Sequence, residues 1–145
     1  MKRTVIAAAL VCASVSAWAG ETPSEPGAKV YFVNIEDGAV LSGPVKVNFG
    51  LSGMGVAPAG IDKPKTGHHH LFLNRAPFGE GEDGADEALY SIPADENHIH
   101  YGGGQTETTL DLPPGQHTLQ LVLGDQNHIP HDPPVTSSVI SITVE

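Results

Sequence analysis

The chain has 145 residues, with 17 acidic against 7 basic side chains and a formal charge of −10. That balance argues against nucleic-acid or anionic-membrane binding and is compatible with an exported domain that attracts cations. The one cysteine, Cys12, rules out a disulfide framework and any thiolate metal site beyond it.

Met1-Lys2-Arg3, an apolar run from Val5 to Ala17 and the small-x-small string Ala17-Trp18-Ala19 read as a signal peptide over residues 1–19. The apolar run is too short for a stable membrane span, so none is expected after cleavage. Val11 before Cys12 argues against a lipoprotein signal. Removal of Lys2 and Arg3 takes the formal charge from −10 to −12. The expected location is the periplasm. Residues 20–27, with Pro23 and Pro26, read as a flexible leader, and residues 28–145 as one domain.

From residue 28 the pattern is β. Residues 29–35 are rich in β-branched and aromatic side chains. Val45, Val47, Phe49 and Leu51 then alternate with Lys46, Asn48 and Gly50, the period of a strand with one buried face. Residues 52–67 read as a Gly/Pro-rich loop and 68–74 as a strand. Residues 75–88 form an acidic loop that lacks the spacing of a calcium loop, and 89–92 a short strand. Further strands are expected at 105–112, 117–124 and 136–144, with Pro113-Pro114-Gly115 as a tight turn. The prediction is an all-β fold, an immunoglobulin-like antiparallel β-sandwich of about seven strands.

Seven of the eight histidines fall in three groups: His68-His69-His70, His98-Ile99-His100 and His128-Ile129-Pro130-His131. If successive connections alternate between the two ends of the sandwich, all three groups gather at one end. His68 and His70 share a strand face, as do His98 and His100 if extended. The candidate ligands are His68, His70, His98, His100, His128 and His131, with Gln105, Glu107 and Asp125 available to orient the rings. Imidazoles suit copper(II) or zinc. Affinity is expected to fall below the free imidazole pKa of about 6.5. His69 has the parity of Leu71 and Leu73 and could face the core, and His117 reads as a structural residue at the start of a strand.

No nucleophile elbow and no His-Glu-x-x-His pattern is present, so an enzyme is not expected. The leading expectation is a periplasmic metal-binding domain. The alternative is a metal-independent interaction module for a protein or cell-wall partner, with the histidines shaping the loops.

The strings Gly67-His68-His69-His70-Leu71, Asn97-His98-Ile99-His100-Tyr101-Gly102-Gly103-Gly104-Gln105 and Gly124-Asp125-Gln126-Asn127-His128-Ile129-Pro130-His131 resemble the DUF4399 family over roughly residues 67–144. That resemblance implies a small exported bacterial β-domain of unassigned function. It implies no activity.

Overall fold

The computed structural model describes residues 22–82 and 84–145. The predicted signal peptide lies outside the described residues. Among these residues nine strands form in chain order: β1 (Lys29–Phe32), β2 (Val40–Leu41), β3 (Val45–Ser52), β4 (Gly55–Val56), β5 (Thr66–Leu73), β6 (His98–His100), β7 (Glu107–Leu110), β8 (Gly115–Gly124) and β9 (Ile140–Val144). They make a three-stranded sheet, β1-β3-β7, and a six-stranded sheet, β2-β9-β8-β5-β4, with β6 also paired to β5.

The alternation seen in the sequence produces the sandwich. Val45, Val47 and Phe49 of β3 face Leu119, Leu121 and Leu123 of β8 and Leu71 and Leu73 of β5 in one buried core. Apolar area removed from water at about 25 cal/mol per Å² is what holds the two sheets together. Most pairings are antiparallel, but β2–β9 and β4–β5 are parallel, so the fold departs from the purely antiparallel expectation. All three unpredicted strands are short. Of these, β6 falls inside what reads as a connection.

One predicted strand is absent. Residues 84–90 form turns, and Leu89 and Tyr90 are 48% and 66% exposed. The free edge of β5 that a strand there would join is already occupied by β4 and β6. Only Ile92 of that stretch is buried, against Phe72 and Val122 on the outer face of the larger sheet. The expected alternation of loop ends therefore fails at its premise, and the histidines meet by another route.

Strand β5 is buried on both faces. Its inner face packs in the sandwich. Its outer face lies beneath the segment that carries Phe78 and Ile92.

Candidate metal centre

Alternation along β5 puts His68, His70 and Phe72 on the outer face of the sheet, and Gly67, His69 and Leu71 on the inner one. The antiparallel register with β6 sets His100 opposite His70 and His98 opposite Phe72. On the other side, β8 sets Gly124 opposite His68. The chain leaving β8 then turns back and delivers His128. His128 sits at φ 67°, a left-handed conformation that costs a non-glycine residue roughly 1–2 kcal/mol. Such strain persists where surrounding structure dictates it, and it concentrates at functional sites.

Four imidazoles therefore meet on a sheet face. His70 Nε2 lies 3.0 Å from His68 Nε2, which lies 3.1 Å from His128 Nδ1. The His100 ring stacks on His70 at 5.0 Å and meets His128 edge-on at 4.6 Å. One ligand atom from each of His68, His70, His100 and His128 falls within 4.8 Å of the others. An ion with bonds of about 2.0–2.1 Å to nitrogen needs tetrahedral donors about 3.3 Å apart. The spacings of His68 to His70 and to His128, 3.0 and 3.1 Å, are close to that edge.

The hydrogen-bond inventory supports the same chemistry. His68 Nε2 faces two other ring nitrogens, and a single nitrogen carries either a proton or a lone pair, not both. Among the described residues, His68 Nδ1, His70 Nδ1 and His100 Nε2 are buried without a partner. Left to themselves, buried polar atoms of this kind are costly. A cation at the meeting point would take lone pairs from His68 Nε2, His70 Nε2 and His128 Nδ1 and so relieve the competition there, while Nδ1 of His68 and of His70 lies on the far side of its ring.

Burial holds His68, His70 and His100 in the form that ligates. Burial pushes His70 down to about 2 and His68 down to about 4, reinforced by the neighbouring imidazoles. Asp125 partly opposes this at His68. His100 is lowered by burial and by His128. Neutral imidazoles need no deprotonation before binding a metal.

The other predicted ligands lie apart. His98 continues the β6 face, but its Nδ1–H donates to Asp95 Oδ1 at 2.8 Å. Its Nε2 accepts from the Arg75 guanidinium, which has donors only. Both ring nitrogens are thus engaged. Arg75 is fixed in turn by an ion pair with Glu87 and by the Phe72 ring, 4.4 Å away. His131 is fully buried on the inner side of β5, with Nε2 3.0 Å from where a side chain on Gly67 would begin. His69 is inner as well, against Phe49 with ring centroids 5.2 Å apart. His117 is held at the start of its strand: Nε2–H donates to Pro113 O at 2.8 Å and Nδ1 accepts from Asn74 at 2.9 Å.

Of the three residues predicted to orient the rings, Glu107 pairs at 3.2 Å with Lys46 on the smaller sheet, exposed. Gln105 caps the Gly103 amide at 2.9 Å. Asp125 hydrogen-bonds no imidazole among the described residues but builds the loop that carries one. Its Oδ1 accepts from the Asn127 and Ile129 amides at 2.8 and 3.0 Å, and its Oδ2 accepts from the Thr22 hydroxyl at 2.7 Å.

Two glycines belong to the site beside the predicted ligands. A Cβ on Gly124 would come within 2.8 Å of His70 Nε2, and one on Gly102 within 2.4 Å of His100 Nε2. Each stands where a side chain would occupy the room of a ring. The trace in the sequence is a glycine closing the alternating strand β8, and another two residues after His100.

Residues 47–145 match the family model described as Domain of unknown function (DUF4399), and the chain belongs to that family. No curated protein matches it. A solved structure to which it is similar is the endo-beta-1,4-mannanase from Thermotoga petrophila, with a TM-score of 0.45, 16% identity and 81% of this chain covered. The chain spans only 20% of that enzyme.

Proposed function

We propose that this is a periplasmic domain that binds one divalent transition metal ion, copper(II) or zinc, through His68, His70, His100 and His128. The observation that carries the reading is the meeting of buried ring nitrogens at 3.0 and 3.1 Å on one sheet face. All-imidazole sites favour these ions over hard cations. Two of the rings are fully buried and two half-buried, so the ion would exchange from the His100–His128 side. That suits a buffering or delivery role and requires no catalysis. Export rests on the signal sequence.

A second reading, a module that holds a partner, draws on a cleft of ≈ 570 Å³ beside the histidines, lined by Phe72, Phe78 and the exposed Tyr90. Calorimetric titration of the tag-free domain with Cu(II) and Zn(II) at pH 7.5, with elemental analysis of the protein as purified, separates the two. One equivalent at micromolar affinity or better, lost in His100→Ala with the fold retained, is expected. Absence of binding by both ions to the folded domain overturns the metal reading.

A further inference from the structure

His128 reaches the cluster only because its loop holds a left-handed turn, and the restraints on that loop can be traced. Two are internal: the His128 amide donates to Asp125 O at 3.0 Å, and the Asp125 amide to Ile129 O at 2.8 Å. One comes from the segment crossing the outer face, where the Ile92 amide donates to His128 O at 2.9 Å. Another comes from the loop before β5, where the Gly60 amide donates to Gln126 O at 2.9 Å. Others come from the far N-terminal side of the chain. The Ser24 amide donates to Asp132 O at 2.9 Å and the Asp132 amide to Thr22 O at 3.0 Å, while the Thr22 hydroxyl reaches Asp125. Composition alone predicts a flexible leader here, yet its residues 22–25 are laid along the loop like an extra strand edge.

Asp125 is fully buried. Its Oδ1 already holds two amides, and Thr22 is the residue that serves Oδ2. A buried carboxylate oxygen stripped of its donor is costly, and the carboxylate would turn to recover one. Turning it would release the Asn127 and Ile129 amides that flank His128.

We infer that residues 22–25 act as a strap for the metal loop, with Thr22 as a positioning residue that sets His128 through Asp125. The inference rests on the four-histidine reading for its effect on metal and stands on the hydrogen bonds alone for its effect on the loop. Outer-shell partners of metal ligands are commonly worth 10–100-fold in affinity. Thr22 is one step further out, so the expected loss in Thr22→Val is about tenfold, with Thr22→Ser restoring affinity to within about twofold of the parent.

The test has two parts on the same three proteins. Amide hydrogen exchange without metal is expected to rise at Asn127, His128 and Ile129 in Thr22→Val, with the β8–β9 ladder unchanged and with Thr22→Ser like the parent. Equal exchange in all three overturns the strap, whatever the metal does. Calorimetric titration with Zn(II) and Cu(II) then reads the consequence. Tight binding by the parent with no difference in Thr22→Val rejects Thr22 as a positioning residue and leaves the four-histidine site intact. Failure of the parent itself to bind rejects the site, while the exchange data still decide the strap.

Discussion

His68, His69 and His70 are consecutive, equally buried and on one strand, yet the two faces of β5 treat them differently. On the outer face His68 and His70 meet His100 and His128, ring nitrogen to ring nitrogen. On the inner face His69 lies against Phe49 at the apolar core, and its ring hydrogen-bonds no other imidazole among the described residues. All three are pushed below the ordinary histidine range, and burial is the largest cause each time. Neither depth nor a shifted pKa therefore distinguishes a ligand. Convergence of lone pairs does.

The largest expected effects set one face against the other. His70→Ala removes one of the two fully buried rings and is expected to weaken Cu(II) or Zn(II) binding at least 100-fold, an estimate from the loss of one of four ligands. His69→Leu, of similar bulk and on the opposite face, is expected to leave affinity within about twofold. Equal losses in parallel titrations would break the distinction between the faces.

The glycines sharpen the same contrast. Gly124→Ala drives a methyl group against His70 Nε2 and Cδ2, at 2.8 and 3.0 Å. Affinity is expected to fall about tenfold, as for a misplaced ligand. Gly67→Ala, inward, meets Gly124 O at 2.6 Å and Leu123 Cγ at 2.9 Å. That is overpacking, with an expected stability cost of about 1–3 kcal/mol by chemical denaturation.

Acid should act on both faces of the ion-free domain. His68 and His69 sit at about 4 and His70 at about 2, against 6.5 for an unperturbed side chain. Below pH 6.5 the unfolded chain binds more protons than the folded one. Stability is therefore complete above that pH and falls as the solution is acidified toward the folded values. Thermal melts from pH 7 to 4.5 are expected to show a falling midpoint, with a smaller fall in His69→Leu. Metal affinity should decline less steeply than the sequence alone suggests, because protons compete poorly for His68, His70 and His100, already held neutral. A decline between pH 7.5 and 5 as steep as four imidazoles titrating at about 6.5 would produce contradicts the burial.

The smallest expected effect is at Glu107. Its pair with Lys46 is more than half exposed on both sides, so Glu107→Gln is expected to shift stability by under about 1 kcal/mol and metal affinity not at all.

Much of the sandwich was legible because β3, β8 and β9 alternate cleanly, and alternation is a local property. Strand β6 was not, since its two histidines around one isoleucine carry no apolar period and gain their place only by pairing with β5. Residues 89–92 have the composition of a strand and no free edge to join. The site shows the same division. His68 and His70 shared a face by parity alone, but the meeting of His100 with His70 depends on register between segments 30 residues apart. Nor could spacing show that His128 and His131, three positions apart, end on opposite sides of β5. Gln105 and Glu107 were nominated by nearness in sequence, while strand pairing carries Glu107 onto the other sheet.

The four rings come from positions 68, 70, 100 and 128, so a single ion among them would close two long loops in a chain whose one cysteine is Cys12. It would serve as a detachable staple, restricting the unfolded chain much as a disulfide does. Unlike a disulfide, it would be set and withdrawn by metal supply instead of by redox conditions. The half-life of the domain in a protease-rich compartment would then report how much metal that compartment holds.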